Sequence, residues 1–397
     1  MRDLLKAKVN LRFIVNPFYL YCIGFSLAIA VYLTGWSRLF PDLSPGLILF
    51  FVTTFFIFIF AGYLTGKKVP EYLNHKPADS YLKEIVFCFI IFLGVLNIIY
   101  MGYIPVLDRA HNYREFGMPV IDPIFNTLSI FFSVIYFHTF LDTRKKRFLV
   151  FILIILAIQL IIFRRSTVIW ILTSSSFLYL YYRKIRLYIL VLSIVSIPLM
   201  SYSFGLYGNF RSKLNKTFVL NDLGASDRFI EKGISYNHYM TYLYISSPLA
   251  NLQENINRRT SVVTNAGLKS FIFYCLIPES FTIRLEKPLN LSPPVCYLIT
   301  PELIAGTVFM TSYYTLGWSG MIIMFLYLTG IILLCLWVIK KWPAFGLETF
   351  SLLCATGCLI IFSNFLNRLD VLLMLLIYPV LFHLISEIKP DRKGVSL

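Results

Sequence analysis

Leu47–Thr65 reads LILFFVTTFFIFIFAGYLT, nineteen residues without one charged side chain. A helix rising about 1.5 Å per residue over such a run is long enough to cross a hydrocarbon layer of about 30 Å. Phe18–Gly35 has the same character, and comparable runs recur along most of the 397 residues. The whole composition agrees: 58% of residues are apolar and only 14% charged, and mean hydropathy is +0.73. A soluble domain carries about 25% charged residues, so an ordinary soluble enzyme is excluded. The apolar runs lack the alternating, roughly ten-residue pattern of a membrane barrel, and the expectation is an all-α polytopic membrane protein.

Net charge is +16. In a chain of this hydropathy the excess marks basic residues that hold loops on the cytoplasmic side, and nucleic-acid binding is rejected. Arg2, Lys6, Lys8 and Arg12 precede the first run with no small-residue cleavage site after it, which reads as a retained first span. With that terminus inside, spans fall near Phe18–Gly35, Leu47–Thr65, Ile85–Gly102, Pro123–Leu141, Phe148–Phe163, Ser166–Tyr182, Leu187–Leu206, Gly317–Ile339, Leu347–Phe365 and Asp370–Ile388. Lys67-Lys68, Arg144–Arg147, Arg183–Arg186, Lys340-Lys341 and Lys389–Lys393 then all lie inside. The expected organisation is a bundle of about seven spans over 1–206, a large external helical segment over 207–316, and about three spans over 317–397. Within the external segment, Asp227–Ile245 has helical length, ends at Pro248, and carries an aromatic stripe suited to the membrane surface or to packing on the bundle. Cys275 and Cys296 share this compartment, which is oxidising, and a disulfide between them is one reading, although the spacing by itself does not point to it.

On this threading, arginines collect on the wrong side. Arg164-Arg165 occupies a turn with almost no loop between two apolar spans, Arg211 opens the external segment, and Arg368 lies in the turn Asn364–Asp370. Arg109, Arg114 and Arg284 are further external arginines, in loops with acids close by. Guanidinium groups suit bidentate binding of phosphate oxygens, so an anionic ligand at the outer face is one reading. The others are contact with lipid headgroups or an ion pair with Asp108, Glu115 or Asp122. No Asp-x-Asp pair lies outside the spans to seat a divalent metal, and neither metal nor cofactor is expected. Gly-x-Gly-x-x-Gly, phosphate-binding-loop and Gly-x-Ser-x-Gly motifs are missing. Candidates for acid/base work are His238, in an aromatic setting that also suits plain packing, and Glu302, an acid in an otherwise apolar stretch that calls for a role or a partner. The spans themselves read as nearly free of charge, which speaks against a transporter.

About ten spans, a late external segment and outward arginines resemble the Wzy-type O-antigen polymerases, or oligosaccharide repeat unit polymerases. The local matches are Phe163–Ser166, Tyr207–Arg211, Tyr242–Leu252 and the glycine-aromatic stretch Tyr313–Gly320, YYTLGWSG. The resemblance implies a membrane glycosyltransferase of the GT-C arrangement in the bacterial inner membrane, with its active site facing the periplasm. Its substrates would be undecaprenyl-diphosphate-linked glycans, with membrane lipids and a chain-length regulator protein as further partners. A growing glycan would leave its lipid diphosphate for a hydroxyl of a new repeat unit, by inversion and without metal. In that scheme Arg164, Arg165, Arg211 and Arg368 bind the diphosphate, and His238 or Glu302 is the base. Tyr239, Tyr313 and Tyr314 stack on sugars. A ligase-type glycan transferase and a flippase or anion transporter stay open as alternatives.

Overall fold

A computed structural model describes residues 8–66, 69, 73, 82–108, 116–212, 215–258 and 264–387, the side chains of Leu82, Arg211 and Ser212 excepted. The protein is all-α, with a single two-residue antiparallel strand pair among the described residues, β1 (Lys8–Val9) with β2 (Ile185–Arg186). The main helices are α1 (Pro17–Tyr32), α2 (Pro45–Gly66), α3 (Leu82–Met101), α4 (Ile121–Thr143), α5 (Arg147–Ile161) and α6 (Arg165–Tyr182). They continue with α7 (Leu187–Ser212), α8 (Tyr236–Arg258), α9 (Met310–Lys341), α10 (Gly346–Leu359) and the closing segment α11 (Leu369–Ser386). Each of the ten apolar runs falls on one of these helices. Among the described residues, six are long and apolar enough to cross a membrane: α2, Lys83–Met101 of α3, α4, Leu187–Phe210 of α7, α9 and α11. Lys67-Lys68, Arg109, Arg114 and Lys389–Lys393 lie outside the described residues.

The chain forms two compact units. Unit 1 takes Met1–Tyr63, Lys184–Ile331 and Thr356–Leu369; unit 2 takes Leu64–Arg183, Ile332–Ala355 and Asp370–Leu397. The units interleave in sequence, so the expected boundaries at 206 and 316 do not coincide with them.

In unit 1, α1 starts where Asn16 caps the Phe18 amide at 3.0 Å and Pro17 supplies a ready φ. It packs on α2 through Phe18 against Phe58 and through a Tyr21 hydroxyl that donates to Thr54 Oγ1 at 3.2 Å. α8 packs along α7 and α1. Its approach to α7 is close enough that a Cβ at Gly205 would collide with the Asn237 carbonyl. α8 is therefore an interior helix of this unit. It begins after a separate turn of helix, Asp227–Glu231, and runs through Pro248 instead of ending there. Proline removes one backbone hydrogen bond, but Ser246, Ser247, Pro248, Leu249 and Ala250 are all buried, and that packing carries the helix through. A row of amides on α8 then holds an extended strap: Asn251 bonds Ala305 O and Ile299 N, both at 2.8 Å, and Asn255 bonds both Tyr297 O and N at 2.8 and 3.0 Å.

α9 is two helices meeting at Gly317, whose φ of 64° and ψ of −144° favour glycine. Gly320 lies against the Ser312 carbonyl, and Gly46 faces the Trp318 ring at 2.9 Å from an added Cβ. The glycines of YYTLGWSG thus serve a bend with tightly packed sides.

In unit 2, α4 is the central helix and packs on α3, α5 and α6. α4 and α6 run parallel: Thr167 pairs with Asn126 near one end (3.4 Å), and Arg183 donates to Leu141 O near the other (2.9 Å).

Candidate functional site

The clearest assembly of charged groups expected from sequence lies in unit 2, at the turn between α5 and α6. Phe163 holds a left-handed φ of 60°, a costly conformation for a bulky side chain. The strained turn delivers Arg164 and Arg165 to the start of α6. Arg164 Nη2 donates to Asp122 Oδ2 and to Phe116 O, both at 2.6 Å. Asn126 adds a donor to the same carboxylate oxygen at 3.1 Å, and Asn97 accepts from Met118 N at 2.8 Å. The 116–118 loop reaches Asp122 because Gly117 has φ 126° and no Cβ; one would lie 2.5 Å from Asp122 Cγ. Val120, φ 70°, adds a second strained residue beside the pair. One guanidinium nitrogen of Arg164 is thereby fixed, at side-chain exposures of 27% for Arg164 and 12% for Asp122. Arg165 is buried. Of the three readings left open for Arg164, the ion pair with Asp122 is realised; with only Nη2 engaged in these bonds, the pair also pre-orients the guanidinium.

The remaining candidates all lie in unit 1. Arg211 is in the last turn of α7, its side chain outside the described atoms. Arg368 follows the short helix Phe365–Asn367, which Asn364 and Asn367 pin to Cys275 O and Tyr274 O at 2.8 and 3.1 Å. Its guanidinium lies 5.8 Å over the Phe365 ring. His238 is half-buried, with Nδ1 3.0 Å from the Ser201 hydroxyl of α7. Glu302 sits exposed at a turn of the strap held by α8. The two candidate bases do not share an environment.

Two of the three tyrosines are corrected. Tyr239 is 0% exposed and its hydroxyl donates to Leu223 O at 2.7 Å, within an apolar cluster that includes Phe229 and Leu243. Burial raises its phenol pKa. Tyr313 is buried with Trp318 edge-on at 5.4 Å. Neither offers a ring face to a sugar. Tyr314 is half-buried, with Tyr297 at 6.0 Å. Cys275 and Cys296 are both thiols, and burial pushes that of Cys275 up to about 12. The arginines Arg38 and Arg228 stitch loops together, donating to Asn221 O and Thr34 O at 3.0 and 3.3 Å.

The expectation of nearly clean spans also needs correcting. In unit 2, His138 of α4 pairs with Glu348 of α10 at 2.7 Å, both buried. Gln159, Ser129, Ser133 and Ser174 are likewise fully buried. Single polar residues scattered along apolar runs escaped notice because hydropathy averages over a window; only their convergence in space marks them.

Compared with family models, with curated proteins and with solved structures, the chain gives no match.

Proposed function

We propose that the protein is an O-antigen polymerase-type glycosyltransferase of the bacterial inner membrane, built on ten spans in a GT-C-like arrangement. It joins undecaprenyl-diphosphate-linked repeat units at the periplasmic face. The observation that supports this best is the pre-oriented Arg164, held through a single nitrogen by Asp122 and Phe116 O at the end of two apolar helices. An arginine so fixed, its side chain 27% exposed, offers the accessible part of its guanidinium to a phosphate oxygen with little ordering left to lose.

In the reaction, an acceptor hydroxyl oxygen bonds to the anomeric carbon of the growing chain while the bond from that carbon to the diphosphate oxygen breaks. The electron pair leaves with the diphosphate, where Arg164 and Arg165 meet the new charge, and the hydroxyl proton passes to a base. Within unit 1, taken by itself, Arg211 and Arg368 are the candidates for an anion and His238 and Glu302 for a base. A deletion strain tests the assignment. Loss of a polymerase leaves lipopolysaccharide capped with one repeat, which Arg164→Ala fails to extend; loss of a ligase leaves no repeat at all.

A transport function is the second reading, favoured by the polar groups buried inside unit 2. Uptake or flipping of a labelled lipid-linked glycan by proteoliposomes, with no change in glycan length, would select it.

A further inference from the structure

Asp122, Asn126, Ser129 and Ser133 are spaced 4, 3 and 4 residues apart and so share one face of α4. From α6, Thr167 meets Asn126, and because the helices run parallel, Ser174 stands level with Ser133, each seven residues further on. From α5, the buried face Phe148, Ile152, Ile155 and Gln159 packs toward α4. The level of Gln159 is set by Gly94 of α3, against whose open side both Phe125 and Ile158 pack. Asn126 and Gln159 are the next residues on their helices, and Gln159 O accepts from Arg164 N at 2.8 Å. One polar seam therefore runs between α4, α5 and α6, from Asp122 to Ser133, about 16 Å along the helix at 1.5 Å per residue.

Much of this seam is unsatisfied by protein. Among the described residues, both amide atoms of Gln159, at 0% exposure, have no protein partner, and neither do the hydroxyls of Ser129, Ser133 and Ser174. At the Asp122 end, Oδ1 of Asp122 and Nε of Arg164 are in the same state. The hydroxyls are not simply turned onto their own helices. Thr139 and Ser176 do that, donating to Ile135 O and Leu172 O at 2.8 Å, whereas the three seam serines do not. A buried amide or hydroxyl without a partner is costly, and donors and acceptors here alternate between three helices. The group that satisfies such a set must both donate and accept, must be small, and must tolerate side chains with no accessible surface. Water fits all three conditions.

We propose that unit 2 binds a short file of ordered water molecules between α4, α5 and α6, anchored on Gln159 and linking Asp122 and Arg164 to Ser133 and Ser174. The site is independent of the glycosyltransferase reading, since it rests on buried atoms and not on the ligand of Arg164.

The sign of a stability change tests it. In a dry seam, Gln159→Met replaces an unpartnered amide with a thioether of similar size and raises the thermal midpoint of the full chain in detergent or nanodiscs. In a hydrated seam it removes the anchor of the waters and lowers the midpoint by about 3 °C or more. A rise or no change overturns the proposal. Ser133→Ala provides a gentler version: it should lower the midpoint, with Ser176→Ala as the unaffected control, and an equal response of the two also overturns it. A map at about 2 Å should hold solvent peaks within hydrogen-bond distance of Gln159 Oε1 and Nε2; a well-ordered amide without such peaks contradicts the site.

Discussion

Arg164 Nη2 lies 2.6 Å from Asp122 Oδ2, forty-two residues away in sequence, and the same nitrogen lies 2.6 Å from Phe116 O. A guanidinium anchored by one corner is a different object from a free surface arginine. Its position is set by the protein, its Nε is buried behind that anchor, and its partner carboxylate depends on it in turn.

That dependence gives the first expected outcome. Arg164→Ala leaves Asp122 with a half-satisfied carboxylate, and Asp122→Asn weakens the hold on Arg164. Both single variants should lose stability, while the double variant Arg164→Ala/Asp122→Asn loses less than the sum. A coupling of about 1–2 kcal/mol in thermal or denaturant unfolding is expected for a pair of this partial exposure. Strict additivity would mean that the two side chains do not act together.

The loop that makes the pair possible is equally exposed to test. Gly117 has φ 126°, and any Cβ there meets Asp122 Cγ at 2.5 Å. Gly117→Ala should disturb the ion pair and lower the thermal midpoint. Gly233→Ala, at another left-handed glycine with open space around it, pays only the backbone penalty. Equal shifts for the two would remove the case for a close approach at Gly117.

Substitution by lysine separates charge from geometry. Arg164→Lys keeps the charge and can pair with Asp122, but it lacks the planar fork. Polymer length on a lipopolysaccharide gel should fall well below that of the native protein while the variant stays folded and inserted. Full activity in Arg164→Lys would show that only a point charge is needed.

The fold was legible where it depends on averages and illegible where it depends on single contacts. Ten apolar runs landed on ten helices because burial in lipid and burial in protein both demand long stretches without charge. The role of Asp122 was visible only as one of three acids that Arg164 could choose, since nothing local in sequence ties residue 122 to residue 164. Tyr239 and Tyr313 show the same limit from the other side. Tyrosine serves equally at sugar sites, at membrane surfaces and in cores, and only the structure reveals that these two are enclosed. Pro248 misled for a related reason: a local helix breaker was overruled by packing on both sides of it.

Thiol chemistry reports on the Tyr207–Leu316 segment. Burial raises the pKa of Cys275 to about 12, above the roughly 8.5 of an unfolded thiol. The folded state thus keeps its proton where the unfolded state loses it, so the stabilisation is complete below about pH 8.5 and declines as pH rises toward 12. In the native protein a maleimide at pH 8 should modify the half-buried Cys296 first and reach Cys275 only after unfolding, as read by peptide mass spectrometry. An impermeant maleimide applied from the periplasmic side should give the same order; protection of Cys296 from that side would reverse the proposed orientation.

The most direct measurement is turnover by the purified full chain in proteoliposomes, supplied with undecaprenyl-diphosphate-linked repeat units and EDTA. The native protein should produce a ladder of longer glycans without added metal, and Arg164→Ala, confirmed as folded by its thermal transition, should produce none. A native protein that forms no glycosidic bond, a ladder that appears only when Mg²⁺ or Mn²⁺ is restored, or an Arg164→Ala variant that polymerises at the native rate would contradict the proposed arginine-based polymerase.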